Sequence, residues 1–91
     1  MVDKKLLIYG AGALGRGFLA PTFFKLGYKI YFVDKDEKLV DELKKRNSYK
    51  TAFSTGKGYE ICEVEYENAF LLGEEDSFLS EADLVFSCVG P

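Results

Sequence analysis

The chain has 91 residues, a formal charge of −3, 47% hydrophobic and 15% aromatic residues, two cysteines and no histidine. That length allows one domain, and the apolar content excludes a disordered chain. An acidic balance, with no Lys/Arg cluster interleaved with exposed aromatics, argues against nucleic acid or an anionic membrane as a partner, and the lack of histidine excludes His-based metal sites and Ser-His or Cys-His nucleophiles made from these residues alone.

Leu6 to Tyr9 is a short apolar run ending at Gly10, the pattern of a parallel strand covered on both faces. From Ala13 to Leu26, Leu14, Phe18, Leu19, Phe23 and Leu26 recur at helical spacing, and Gly27 supplies a left-handed stop. Pro21 lies inside that helix, where it removes one backbone bond and crowds the Gly17 carbonyl, so a local kink is expected. Tyr28 to Val33 reads as a second strand, ending at Asp34. Asp36 is the N-cap of a second helix, with Leu39, Val40 and Leu43 as its apolar stripe and Lys44 to Arg46 at its negative end.

Tyr49 to Phe53 is compatible with a strand, and residues 54–58 read as a turn. Beyond it Cys62, Val64 and Tyr66 alternate with Glu63, Glu65 and Glu67, the period-two pattern of an antiparallel hairpin with one wet face. Gly56-Lys57-Gly58 is a hairpin turn and not a phosphate loop, because the upstream glycine and the magnesium-binding hydroxyl are missing. The glutamate row is a solvated face, without the burial that would separate two carboxylates into acid and base.

Phe70 to Leu72 closes the strand region or starts another strand. Residues 74–82 are expected to form one short helix with Phe78, Leu79 and Ala82 inward, and Leu84 to Val89 a buried parallel strand ending at Gly90. Both cysteines are read as reduced, buried thiols, since neither belongs to a CxxC pair. No apolar run approaches the roughly 20 residues that span a bilayer, and no cleavable apolar segment precedes the first strand. A cytoplasmic location is expected.

The chemistry sits in Gly10-Ala11-Gly12-Ala13-Leu14-Gly15, which follows a strand, opens a helix and precedes a second strand ending in an acid. Gly10 permits the tight turn, Gly12 lets the backbone approach a pyrophosphate, and Gly15 lets the helix lie close to the strand. Free amides at the helix start favour the phosphate charge. Asp34, about 20 residues further on, is placed to accept the adenosine ribose hydroxyls and to repel a 2′-phosphate, which favours NAD over NADP; Lys35 beside it softens that discrimination. Arg16 is a cation in the first helical turn, against the helix dipole, and either contacts a phosphate or is an exposed surface residue. The fold class expected is α/β, a Rossmann-type parallel sheet with an inserted antiparallel β-hairpin, forming the first half of a dinucleotide-binding domain.

Three blocks, Gly10 to Phe18, Asn47-Ser48-Tyr49 and Asp83 to Pro91, together resemble the N-terminal domain of the mannitol-1-phosphate 5-dehydrogenases, among the polyol-specific long-chain dehydrogenases. The resemblance implies that residues 1–91 are the NAD-binding domain of an oxidoreductase interconverting mannitol 1-phosphate and fructose 6-phosphate by hydride transfer. It implies cofactor contacts from Leu6 to Gly17, including Tyr9, Gly10, Ala11, Gly12, Ala13, Leu14, Gly15, Arg16 and Gly17, with Asp34 on the ribose and Val89 and Gly90 arriving from the third parallel strand. The polyol phosphate and the catalytic lysine of that family would belong to a C-terminal domain outside this sequence, so no catalytic residue is assigned and the chain alone is expected to be inactive. Two other readings remain: a dehydrogenase of the same superfamily acting on a hexuronate or a non-phosphorylated polyol, and a non-catalytic NAD-sensing module.

Overall fold

The computed structural model describes residues 4–12 and 15–88, those at 53–55 by their backbone alone. Strand β1 (Lys5–Tyr9) is followed by a π-helical turn (Gly15–Leu19) that runs into helix α1 (Ala20–Lys25). Strand β2 (Lys29–Asp34), helix α2 (Glu37–Lys45) and an antiparallel pair, β3 (Ser48–Thr55) and β4 (Gly58–Glu65), come next. Strand β5 (Asn68–Leu71), two 3₁₀ turns (Glu74–Ser77 and Leu79–Glu81) and strand β6 (Leu84–Ser87) complete the order.

The main sheet has the order β5-β2-β1-β6, with every pair parallel. Successive parallel strands thus lie third, second, first, fourth, which is the first half of a doubly wound dinucleotide fold together with the first strand of its second half. The strand order corrects two sequence expectations. Residues 68–71 form the third parallel strand, paired with β2 through Phe32 to Ala69, and β6 is the fourth, on the far side of β1.

Strand β1 is central, so both its faces are covered and Leu6, Leu7 and Ile8 have no exposed surface. One face packs Leu6, Ile8, Ile30 and Phe32 against Ala20, Val40 and Leu43 of the helices. The other packs Leu7 and Val33 against Phe78. Full burial of a side chain such as Phe32 contributes about 1.5–3 kcal/mol.

The hairpin forms as its alternation requires. Thr51 pairs with Cys62 and Tyr49 with Val64; Cys62, Val64 and Tyr66 are buried, while Glu63, Glu65 and Glu67 are exposed. Gly56 and Lys57 make the tight turn, and Gly58 takes a positive φ of 123°. Two phenols then fasten this layer to the helices. Tyr66 donates its hydroxyl to the Leu43 carbonyl (2.6 Å), and Tyr49 donates to the Arg16 carbonyl (2.7 Å).

Other expectations need correction. In place of a kinked helix the chain makes a π turn before α1, with Pro21 buried in the first α-helical turn. Proline lacks an N–H, and the π pattern pairs residue i with i+5, so Pro21 falls where a donor to the Arg16 carbonyl would stand. Tyr49 fills that role. Residues 74–82 form two 3₁₀ turns rather than one helix: Phe78 is buried, but Leu79 is 40% exposed. Acidic side chains redirect the backbone there, Glu74 accepting the Leu71 N–H and Glu75 the Gly73 N–H. Within the described residues strand β6 lies at the end of the strand order, with Val85 50% and Phe86 37% exposed. Cys62 is a buried free thiol as expected, whereas Cys88 is only half-buried.

Candidate functional site: the turn between the first strand and helix

Three strand ends meet at one edge of the sheet. Gly10 follows β1 with φ 99°, a conformation that suits glycine, and its N–H bonds the Val33 carbonyl at 2.7 Å. Cys88, just past β6, donates its N–H to the Tyr9 carbonyl at 2.6 Å. The end of the fourth strand therefore lies beside the glycine turn. Val89 and Gly90, which the sequence reading assigned to the cofactor, lie outside the described residues, as do Ala13 and Leu14.

The glycines of the turn have different surroundings. A Cβ on Gly15 would collide with the Gly10 carbonyl oxygen and press on Ile8 Cγ2 at 3.3 Å, so only glycine allows the chain this close to β1. A Cβ on Gly12 would meet nothing within 4 Å, and Gly12 is exposed. Gly17 is half-buried near the Thr51 hydroxyl.

Asp34 ends β2 and locks the turn from the other side. Its Oδ2 accepts the N–H of fully buried Ala11 at 2.8 Å, and its Oδ1 accepts the Asp36 N–H at 2.9 Å. An ionised carboxylate offers about four lone-pair positions, so two acceptor directions remain. Asp36, as expected, caps α2 by accepting the Lys38 and Leu39 N–H groups at 3.1 and 3.3 Å.

Tyr9 and Arg16 lead away from the turn. Tyr9 turns its side chain to the opposite face of the sheet, where its hydroxyl donates to Glu75 Oε2 at 2.6 Å. That bond, with burial and the charges of Glu75 and Asp76, pushes the Tyr9 pKa up to about 12. Burial works against the Glu75 charge, but the Tyr9 hydroxyl and the Glu75 and Gly73 amides outweigh it, and its pKa falls. Arg16 is half-buried beneath the hairpin, with its Nε buried and without a partner among the described residues. Burial pushes the Tyr49 phenol upward in pKa, partly opposed by the Arg16 charge.

The contacts of Tyr49 with Arg16 and of Glu75 with Tyr9 were not foreseen in the sequence. A signal for the first existed in Pro21, whose missing N–H leaves a carbonyl in need of a donor. For Glu75 there was none.

A family model described as the mannitol dehydrogenase Rossmann domain matches residues 4–91. The chain belongs to that family. It is 38% identical over 87 residues to a mannitol-1-phosphate 5-dehydrogenase of Lactiplantibacillus plantarum, covering 91% of this chain and 22% of that protein. With the protein of the same name from Brevibacillus brevis it shares 40% identity over 85 residues, again 91% of this chain and 22% of the other. A mannitol-1-phosphate 5-dehydrogenase of Aspergillus niger is 33% identical over 94 residues, 99% of this chain and 24% of its own length. The chain thus spans less than a quarter of the length of these relatives.

Membership of the family accords with the parallel sheet and the inserted hairpin. No helix among the described residues is long and apolar enough to cross a membrane.

Proposed function

We propose that this chain is the NAD(H)-binding part of a mannitol-1-phosphate 5-dehydrogenase, which interconverts mannitol 1-phosphate and fructose 6-phosphate. The observation that carries this reading is the open approach at Gly12 beside a carboxylate fixed at the end of β2. A pyrophosphate needs a main chain without side-chain cover, and Gly12 supports that fit. The adenosine ribose needs an anchored acceptor, and Asp34 has lone pairs to spare after bonding Ala11 and Asp36.

In this reading the turn from Gly10 to Gly15 holds the diphosphate, with Ala13 and Leu14 in the same segment, while Asp34 holds the ribose and its charge disfavours a 2′-phosphate. Arg16, Gly17, Val89 and Gly90 are included as cofactor residues. NAD, when bound, supplies hydride transfer; the residues here bind and orient it. The groups that contact the polyol phosphate and move its hydroxyl proton are assigned to other parts of the enzyme. A cytoplasmic location belongs to the same proposal and is supported by the two free thiols.

Calorimetric titration of NADH and NADPH against wild type and Asp34→Ala tests the assignment. Wild type is expected to prefer NADH, and the substitution to weaken NADH and narrow the preference. Equal binding of both cofactors to wild type, unchanged by the substitution, overturns it.

A further inference from the structure

A cleft of about 260 Å³ opens between α2 and the hairpin, on the helix-covered side of the sheet. Arg16, Glu42, Arg46, Ser48, Tyr49 and Tyr66 contribute to its lining. An adjoining depression of about 370 Å³ shares Arg16 and Tyr49 and adds Lys50. Arg16, Arg46 and Lys50 therefore border these two depressions, and Glu42 is the one carboxylate among the lining residues given for them.

The polar groups of this groove are divided between structure and recognition. Both phenols donate their protons to backbone carbonyls, Tyr49 to Arg16 and Tyr66 to Leu43, so they hold the walls in place. Ser48 donates to Glu63. The guanidinium groups are different: among the described residues neither Arg16 nor Arg46 joins an ion pair, even with Glu42 in the same lining. Buried Arg16 Nε has no acceptor at all among these residues.

Arg46 taken alone has an ordinary explanation, since it follows the last turn of α2, where a cation suits the helix dipole. Arg16 has no such explanation, because it sits at the start of its helical segment and against the dipole. A buried guanidinium N–H without an acceptor, in a cleft lined also by a second guanidinium, is unfavourable until an oxyanion enters. Guanidinium groups match the oxygens of a phosphoryl group by forked N–H donation.

We infer that the groove bounded by Arg16, Arg46, Tyr49 and Tyr66 is a binding site for a phosphate monoester or free phosphate, separate from the dinucleotide turn. Arg16 and, in the adjoining depression, Gly17 are common to this groove and the NAD proposal, whereas Arg46, Tyr49 and Tyr66 belong to the groove alone, so the test is made at Arg46.

The test is titration of inorganic phosphate, followed by calorimetry and by the ring signals of Tyr49 and Tyr66, in wild type, Arg46→Ala and Arg46→Lys. Arg46 is exposed and unpaired among the described residues, so its replacement leaves the packed core intact. Saturable binding that shifts both rings, weakened about tenfold or more in Arg46→Ala and partly kept in Arg46→Lys, supports the site. Phenyl phosphate binding more tightly than inorganic phosphate assigns the site to a monoester, whereas equal affinities assign it to the free anion. No saturable binding, or binding unaffected by Arg46→Ala, overturns the inference. NADH binding to Arg46→Ala at wild-type strength keeps this outcome apart from that of the cofactor assignment.

Discussion

The Asp34 carboxylate accepts the Ala11 N–H at 2.8 Å, so the acid that ends β2 also fixes the turn that follows β1. Ala11 has no exposed surface, and water cannot replace this acceptor. Binding and folding are joined in one residue. The same oxygen pair orders the entry to α2 through the Asp36 N–H.

Asp34→Ala is therefore expected to lower stability by about 1.5–3 kcal/mol, since it removes charge-assisted bonds and strands a buried amide. Asp34→Asn keeps one carbonyl oxygen as acceptor and should cost less. Urea unfolding of the two variants checks the order. An Ala variant as stable as wild type would mean that the Ala11 amide finds another partner.

The pairing of Pro21 with Tyr49 makes a second prediction. Tyr49→Phe leaves the Arg16 carbonyl without its donor and should cost about 1–3 kcal/mol. Pro21→Ala restores an N–H to the helix, so the same Tyr49→Phe substitution should cost less in that background. A double-mutant cycle measured by denaturation reads the difference directly. Strict additivity would show that the carbonyl bond and the proline are unrelated.

Much of this architecture was legible because its signals are local. A continuous apolar run marked β1, Asp36 marked the start of α2, and the alternation of Cys62, Val64 and Tyr66 with glutamates marked the hairpin. The glycine turn was legible for the same reason, its spacing being short and tied to the strand before it. What escaped was set by tertiary neighbours. Four residues of β5 carry no periodicity that says they lie beside β2. A π turn and an α-helix differ too little over the five residues from Gly15 to Leu19 to be told apart by apolar spacing. Tyr49 and Arg16 meet across 33 residues, beyond any local pattern.

The bond between Tyr9 and Glu75 predicts a stability window in pH. The Glu75 pKa is lowered from 4.5, so its contribution is present above that value and is lost as pH falls through the lower folded one. Tyr9 is raised from 10.0 to about 12, so its contribution is full below 10 and is lost as pH rises through about 12. Tyr9→Phe removes the Oε2 donor of the buried Glu75 carboxylate, leaving its amide bonds, and should cost about 1–3 kcal/mol between those limits. Thermal melts of both proteins should differ across the neutral range and converge at either extreme. A difference independent of pH would assign the loss to packing.

Gly12 and Gly15 should separate binding from folding. Gly15→Ala pushes a Cβ into the Gly10 carbonyl oxygen, with backbone on both sides of the contact and no flexible side chain to yield. Overpacking of this kind costs about 1–3 kcal/mol, and the shifted turn should lose NADH binding as well. Gly12→Ala adds a methyl group to open space at a residue without positive φ, so its stability should stay within about 0.5 kcal/mol of wild type. If the pyrophosphate lies against the Gly12 main chain, that methyl group occupies its path, and NADH should bind at least about tenfold more weakly. Unfolding and NADH titration on the same samples distinguish the two substitutions. A Gly12→Ala protein that binds NADH as wild type does would place the diphosphate elsewhere on the fold, however well the glycine spacing matches.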